Sequence, residues 1–333
     1  MTTLFASLIL VVVVALIFDY INGFHDTANA IATVVSTGVL PLRTAILMAA
    51  VMNFIGAFMG AKVSHTVANM VDPAFVSQSM VAAGIVGAIV WNLITWWFSI
   101  PSSSSHALLG GIIGAAITKS GTGAVNGVYL ERTLIGLFAS PLAGFVIGFI
   151  AMIAITWIVR RQRPRFINRV FRWLQMASAA LMALSHGQAD AQKTMGIITM
   201  ALIAYGSVDA AVVKPPTWVI VSCAVAMAAG TAAGGVRIIK TMGSKIIDLK
   251  PIHGFAAETG AAVTLLTAAH FGAPVSTTHV ISSAIMGVGA SQRVSAVRWG
   301  VTTRIFYAWV LTIPISAIVG SLCYLVLSAL LGP

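Results

Sequence analysis

The motif Pro101-Ser-Ser-Ser-Ser-His106 is followed by a glycine-rich apolar run, and the same order returns at Pro274-Val-Ser-Thr-Thr-His279. The two segments align without a gap. Upstream of each motif, Gly87 occupies the place of Gly260, so the similarity extends through the preceding apolar stretch. Self-similarity on this scale indicates that the chain is built from two related halves, each with one hydroxyl-rich motif.

A second pair of motifs precedes the hydroxyl motifs in the same order. Asn22-Gly-Phe-His-Asp26 aligns with His186-Gly-Gln-Ala-Asp190, so each half also carries one Asp motif. We predict a first repeat over residues 1–159, a basic cytoplasmic connector over 160–172 and a second repeat over 173–333. In either half we expect a helix interrupted at the Asp motif, two further helices, a hydroxyl-led segment and a long final helix.

The composition of the chain is that of a membrane protein. Hydrophobic residues make up 59% of its 333 residues and charged residues only 8%, against roughly 25% charged in a soluble domain. Apolar runs at residues 4–18, 81–100 and 133–159 are of the order of the roughly 20 residues that a helix needs to cross a bilayer. The sequence therefore predicts an all-α, polytopic membrane protein.

The basic residues predict how the chain is oriented. They cluster between apolar runs instead of alternating with aromatic residues, so the net charge of +11 does not indicate a nucleic-acid partner. If residues 160–172 are cytoplasmic, about five crossings in each half place both termini outside and invert one half relative to the other. Such inverted repeats are typical of secondary transporters. The predicted inner side holds fourteen of the nineteen basic residues: Arg43, the six arginines of 160–172, Arg237, Lys240, Lys245, Lys250, Arg293, Arg298 and Arg304.

Three acidic residues lie in apolar surroundings, where each needs a physical reason. Asp26, Asp190 and Glu258 remain after four residues are assigned to loops and Asp19 to a membrane interface. A charge at mid-membrane costs about 2.5 to 3.5 kcal/mol, so these carboxylates imply partners or a water-lined cavity. Because the two aspartates hold equivalent places, we expect them to meet near the bilayer centre. The alternative is a structural ion pair, for example between Asp190 and Lys193. The loop residues are Asp72, Glu131, Asp209 and Asp248.

The hydroxyl motifs predict an anion site. Each proline suits the first turn of a helix, whose free N–H groups and positive dipole end favour an anion. The alternative is that the hydroxyls bond only to neighbouring helices, as they often do in membranes. The duplication of the motif favours the anion site. The candidate anion-binding residues are Ser102, Ser103, Ser104, Ser105, Ser276, Thr277 and Thr278.

An anion held beside two carboxylates would be repelled unless a positive charge entered with it. A cation that neutralises Asp26 and Asp190 would allow the anion to bind, and this requirement predicts symport. Asn29 and Gln192 follow the aspartates by about one turn and could supply oxygen ligands to a hard cation.

Four histidines lie in or beside the motifs. His25 and His186 stand close to the aspartates and could relay protons, although a membrane histidine can also be a packed, hydrogen-bonded residue. We expect His106 and His279 to cap or brace their segments.

The chain resembles the PiT inorganic phosphate transporters, and four motifs in order carry the resemblance: Gly23-Phe-His-Asp-Thr-Ala-Asn-Ala30, Pro101-Ser-Ser-Ser-Ser-His106, His186-Gly-Gln-Ala-Asp-Ala-Gln-Lys193 and Pro274-Val-Ser-Thr-Thr-His279. The resemblance implies phosphate as substrate, an inverted-repeat fold with re-entrant hairpins that carry the hydroxyl motifs, a homodimer, and coupling to sodium or protons. It implies no cofactor beyond the coupling cation.

Carried over by position, Asp26 and Asn29 match the first Asp signature of the family, Asp190 matches the second, and the serine and threonine runs match the hairpin tips that hold phosphate. With Gln192 and Glu258, these residues complete the predicted coupling-ion set of Asp26, Asn29, Asp190, Gln192 and Glu258. Gln188, in the second Asp motif, joins the predicted phosphate-binding residues.

Two departures from the family pattern concern the residue before each aspartate. His25 replaces the usual Asn, as in bacterial members that are associated with proton or metal-phosphate coupling. Ala189 removes an amide in the second half. The short connector 160–172 lacks the large insertion of animal relatives, which favours a bacterial inner membrane.

Two other functions compete with phosphate symport. An intramembrane serine hydrolase would use one activated nucleophile and one oxyanion site, whereas the serine-rich motif occurs twice and no Gly-x-Ser-x-Gly elbow is present. We therefore do not expect an enzyme. A permease for a divalent metal or another oxyanion is the closer alternative, because it would use the same carboxylates and hydroxyls.

The predicted orientation can be tested with single cysteines in intact cells. A cysteine near Arg165 should be shielded from an impermeant thiol reagent outside the cell, and a cysteine near Lys214 should be labelled, because basic loops are retained in the cytoplasm. The opposite labelling pattern would reverse the orientation.

Overall fold

The structure, a computed structural model, describes residues 2–331. The side chains at 2, 3, 236, 237, 330 and 331 lie outside the description, and Arg237 of the predicted inner side is one of them.

The described residues form twelve α-helices and no named strand, which confirms the all-α prediction. The first six are α1 (Thr2–Ser36), α2 (Leu42–Gly56), α3 (Lys62–Ala68), α4 (Gln78–Trp97), α5 (Ser104–Ser120) and α6 (Gly127–Val159).

The second six helices repeat the first six in order and approximate length. They are α7 (Pro164–Tyr205), α8 (Thr217–Ala233), α9 (Val236–Ser244), α10 (Pro251–His270), α11 (Thr277–Gln292) and α12 (Trp299–Leu331). Only residues 160–163 connect α6 to α7. The remainder of the stretch that the sequence analysis treats as a connector begins the long helix α7.

The helix contacts repeat when the two halves are exchanged. Helix α1 packs on α8 and α9, and its counterpart α7 packs on α2 and α3. In the same way α5 packs on α12 while α6 packs on α11. The two sets of six helices are thus intertwined, and each set buries its apolar surface against the other. The halves are therefore not separate domains in the spatial sense.

Helices α1 and α7 run antiparallel to each other through the middle of the molecule. Thr194 donates to Asp19 at 2.9 Å, and Thr37 donates to Gln175 at 2.8 Å. The middle of α1 thus meets a residue in the C-terminal part of α7, and the residue that follows α1 meets the N-terminal part of α7. These two equivalent helices form the central pair on which the Asp motifs lie.

The interruption expected at each Asp motif is wrong. Helix α1 continues through Asp26 and α7 continues through Asp190. Side chains of neighbouring residues partner both carboxylates, so the backbone hydrogen bonds of the helix need not open to serve them. The breaks lie elsewhere, between α2 and α3, α4 and α5, α8 and α9, and α10 and α11. Glycines with positive φ stand at three of these breaks, namely Gly60, Gly234 and Gly272.

Four described helices are long and apolar enough to cross a membrane. They are Leu4–Ser36, Gln78–Trp97, Gly127–Val159 and Trp299–Ala329, and the bent pair α8 and α9 would add a fifth. The apolar runs at 4–18 and 133–159 lie in α1 and α6, and the run at 81–100 extends three residues past the end of α4. The protein is a multi-pass membrane protein, while the count of about five segments in each half stays a prediction.

Glycines allow the two halves to cross at backbone distance. A Cβ added at Gly230 of α8 would lie 2.0 Å from the carbonyl oxygen of Tyr20 on α1. At the equivalent crossing, a Cβ at Gly56 of α2 would lie 2.1 Å from the carbonyl oxygen of Leu184 on α7. Small residues at such positions let membrane helices approach closely. The crossings fix how α1 and α7 are placed next to the site.

Gly230→Ala should destabilise the protein because the new methyl group meets backbone, which cannot move aside as a flexible side chain can. We expect a loss of about 1 to 3 kcal/mol, the usual cost of overpacking, measured as a lower melting temperature in detergent. Gly127→Ala is the matched control, since a Cβ there has no neighbour within 4 Å. Equal melting temperatures for the two variants would contradict the close crossing.

Candidate functional site

The two hydroxyl motifs form the tips of two helical hairpins. Helix α4 turns back into α5 and α10 turns back into α11, and the helices of each pair pack on one another. Ser103 caps α5 by accepting the N–H of His106 at 3.1 Å, and Ser276 caps α11 by accepting the N–H of His279 at 3.2 Å. A helix therefore begins in each motif, as predicted. Each proline lies two residues before the cap and not in the first helical turn.

The two hairpin tips meet each other. The rings of His106 and His279, which hold equivalent places in the repeats, lie 4.4 Å apart between centroids in an edge-on arrangement. Ser105 also donates to the carbonyl oxygen of Val275 at 3.3 Å. The N-termini of α5 and α11 are thus brought to one buried location, as the duplication of the motif predicts.

The aspartates of the two Asp motifs also converge. Asp26, Asp190 and His186 each offer one ligand atom, and these three atoms lie within 4.8 Å of one another. All three side chains are buried. His25 pairs with Asp26 at 2.6 Å, and Nε2 of His186 lies 3.3 Å from Asp190. Two carboxylates and an imidazole form a donor set suited to a cation.

Lys193 joins the aspartates to the hairpin tips. Its ammonium group lies 2.5 Å from Asp190, donates to the carbonyl oxygen of Val275 at 2.7 Å and also donates to the hydroxyl of Ser105. The ion pair between Asp190 and Lys193 is the alternative that the sequence analysis left open. Asp190 therefore has a positively charged partner in Lys193. Asp26 has a positively charged partner only when His25 is protonated.

Asn29 makes the corresponding connection from α1. Its amide nitrogen donates to the hydroxyl of Thr278 at 2.9 Å and to that of Thr277 at 3.2 Å. The hydroxyl of Thr277 in turn donates to Asp190 at 3.2 Å. A continuous chain of hydrogen bonds therefore links Asn29 of α1 and Asp190 of α7 to the tip of α11.

The remaining serines of the first tip differ in their bonding. Ser102 is tied to Trp91 at 3.0 Å and to Thr312 at 2.9 Å, so its hydroxyl braces the hairpin. Ser104 is buried, yet among the residues that the structure describes its hydroxyl has no hydrogen-bond partner. A buried hydroxyl without a partner costs free energy unless a ligand completes it. Ser104 is thus the hydroxyl of this tip that is open to a ligand.

Three predicted site residues lie outside this group. Glu258 on α10 is buried and accepts hydrogen bonds from Thr33, Gln175 and Ser178. Thr33 follows Asp26 by seven residues on α1, which corresponds to about 10 Å along the helix. Glu258 therefore forms a separate polar cluster.

Gln188 and Gln192 are bonded to the break between α2 and α3. Both donate to the carbonyl oxygen of Met59, at 2.6 Å and 3.3 Å, and Gln192 also accepts the N–H of Val63 at 3.0 Å. These bonds thus satisfy backbone groups that the break leaves open.

Two polar residues near the site were missed. Asp19 is not at an interface but buried, and one of its oxygens accepts a hydrogen bond from Thr194. Asn53 orients the second imidazole, because its oxygen lies 3.1 Å from Nδ1 of His186 while its nitrogen donates to Thr231. The signal for Asp19 was its spacing of seven residues before Asp26, which places both on one helix face.

A buried polar site between two hairpin tips and two long central helices, in a multi-pass helical protein, is the architecture of a membrane transporter. A model of the phosphate transporter family matches residues 22–320, and the chain belongs to that family. Its relatives are named as transporters, so the protein is not an enzyme.

Similar proteins cover almost the whole chain. A relative from Rhizobium meliloti (strain 1021), named "Probable low-affinity inorganic phosphate transporter", is 47% identical over 325 residues and covers 97% of each chain. A relative of the same name from Bacillus subtilis (strain 168) is 48% identical over 323 residues, covering 96% of this chain and 97% of its own. A solved structure described as "The sodium-dependent phosphate transporter" matches with a TM-score of 0.88 at 23% identity. It covers 98% of this chain and 100% of its own, so the fold is shared.

Proposed function

We propose that this protein is a symporter that carries inorganic phosphate across the membrane together with a coupling cation. The observation that supports symport best is the hydrogen-bonded link between Asp190 and the hairpin tips, through Thr277 and through Lys193. Charge on Asp190 acts directly on a hydroxyl that would bind phosphate. An anion at the tips and an uncompensated negative charge at the aspartates oppose each other, so a cation and phosphate favour each other's binding.

Phosphate would bind between the N-termini of α5 and α11. Free N–H groups and the positive end of each helix dipole favour an anion there, and the buried, unpaired hydroxyl of Ser104 supports the location. Ser103 and Ser276 accept backbone N–H groups, so each keeps its own hydroxyl proton to donate. The residues proposed to surround phosphate are Ser103, Ser104, Ser105, Ser276, Thr277 and Thr278. Ser102 and Gln188 would not contact phosphate but would hold the surrounding segments in place.

The coupling cation would bind between Asp26, Asp190 and His186. A sodium ion would use carboxylate oxygens, in keeping with the sodium dependence in the description of the structural neighbour. A proton would use the imidazoles of His25 and His186, which touch the two aspartates. A divalent metal carried with phosphate is a second candidate, because two carboxylates and an imidazole nitrogen lie within 4.8 Å of one another.

We further propose that the halves are inverted relative to each other, with both termini outside a bacterial inner membrane. The antiparallel packing of the equivalent helices α1 and α7 supports inversion, since a two-fold axis in the membrane plane reverses the direction of a spanning helix. Residues 1–159 and 173–333 would be the two repeats, with re-entrant hairpins at α4–α5 and α10–α11. The homodimer rests on the resemblance to PiT transporters.

Asp26→Asn should abolish gradient-driven phosphate accumulation in liposomes while phosphate binding survives. The amide keeps the size and hydrogen bonding of the side chain and removes the charge that attracts the cation. Uptake of radioactive phosphate under imposed sodium or proton gradients would be measured. Glu131→Gln is the control, because Glu131 is an exposed residue of α6. Asp190→Asn should fail too, although it also leaves Lys193 without its partner. Full accumulation by both Asp variants would refute the symport mechanism.

Ser104→Ala should weaken phosphate binding without changing which gradient drives uptake. A hydrogen bond to a charged ligand is worth roughly 1.5 to 3 kcal/mol, so the apparent affinity should fall about ten-fold to a hundred-fold. Thr277→Ala should also weaken it, since Thr277 lies at the second tip. Ser328→Ala serves as the control, because that exposed hydroxyl only bonds the carbonyl oxygen of Leu325. An unchanged phosphate affinity for both tip variants would move the anion site elsewhere.

A further inference from the structure

Lys193 holds the place in the second half that Asn29 holds in the first. Each residue follows the aspartate of its motif by three positions, and both side chains are buried. Asn29 donates to the hydroxyl of Thr278, which is the fourth residue after Pro274. Lys193 donates to the hydroxyl of Ser105, which is the fourth residue after Pro101. The two halves thus make equivalent contacts with the hairpin tips, the first half through the amide of Asn29 and the second half through the ammonium group of Lys193.

The charge of the site follows from this exchange. Asp26 and Asp190 carry two negative charges, and Lys193 supplies one positive charge in direct contact with Asp190. With neutral imidazoles and a neutral Asp19 the site is left with one net negative charge. A site with Asn at both equivalent places would have two.

We propose that Lys193 is a resident counter-cation: it permanently occupies the place beside Asp190 that a coupling cation would otherwise fill, and it reduces the number of cations carried per phosphate by one. The proposal rests on the proposed symport and identifies the residue that sets its stoichiometry. One exchangeable cation would remain, held by Asp26, Asp190 and His186.

The contacts of Lys193 are more than those of an ion pair that merely stabilises α7. Its three ammonium protons have three acceptors, namely Asp190, Ser105 and the carbonyl oxygen of Val275, which is the full donor capacity of the group. Two of these acceptors belong to the hairpin tips, one on each hairpin. The positive charge is therefore positioned between the carboxylate and the proposed phosphate site, where a coupling cation would have to act.

The test replaces Lys193 by Asn, the residue at the equivalent position. Phosphate uptake into liposomes is measured against the concentration of Na⁺ at fixed pH, and against pH without Na⁺. In the Lys193→Asn variant the dependence on the driving cation should become steeper, with the Hill coefficient higher by about one, because that coefficient can rise to the number of cooperating sites. Lys193→Arg, which keeps the charge, should retain the slope of the unmodified protein.

The double variant Asp190→Asn/Lys193→Asn separates charge from folding. It removes both partners of the pair and keeps one net negative charge, so the cation-dependent shift of its melting temperature should not exceed that of the unmodified protein, although transport is lost with the cation ligand Asp190. A purely structural lysine would instead give a Lys193→Asn variant with a lower melting temperature and an unchanged slope, and that result would overturn the proposal. A folded double variant whose melting temperature rises with cation as steeply as that of Lys193→Asn would overturn it as well.

A readout without transport keeps the two proposals distinct. The melting temperature of purified protein is measured in detergent with NaCl against choline chloride, and over a range of pH. Lys193→Asn should show a larger cation-dependent stabilisation than the unmodified protein, because it adds a second site that binds cation only in the folded state. No gain with either cation contradicts the resident counter-cation. Failure of the unmodified protein to take up phosphate would instead refute the proposed symport.

Discussion

The cost of burying charge governs the centre of this protein. Asp26 and Asp190 lie on two long central helices with almost no exposure, where each unpaired carboxylate would be expensive. Neighbouring side chains meet that cost in two different ways. His25 lies against Asp26, and Lys193 lies against Asp190. Because these partners come from the same helices, α1 and α7 stay continuous, and two of the four breaks, α4–α5 and α10–α11, lie at the hydroxyl motifs.

The close approach of the helices makes this compensation possible. Glycines at the crossings of α1 with α8 and of α7 with α2 bring backbones together, and the two Asp motifs lie beside those crossings. Asn53 of α2 reaches His186 from there. A bulkier residue at a crossing would separate the helices and weaken the contacts around the aspartates. Packing in the apolar body and electrostatics at the site therefore depend on the same few small residues.

The repeat is symmetric in backbone and asymmetric in charge. The helix order and the helix contacts of one half are matched by the other. The polar residues of the two halves differ. Lys193 stands in the second half where Asn29 stands in the first. The other two buried carboxylates also have different partners, since Glu258 accepts a hydrogen bond from Thr33 and Asp19 accepts one from Thr194.

The sequence by itself determined the membrane class, the two halves, the start of α5 and α11 at the hydroxyl motifs, and the candidate residues at the tips. These features follow from composition and from local rules for capping, which act over a few residues. Only the tertiary structure decided that Asp190 pairs with Lys193, that Glu258 belongs to another cluster, and that Gln188 and Gln192 serve the break between α2 and α3. It also decided that Asp19 is buried and that the Asp motifs leave their helices unbroken. The physical reason is that a polar side chain in a membrane helix bonds to whichever partner a neighbouring helix brings within about 3 Å, and helix packing chooses that partner.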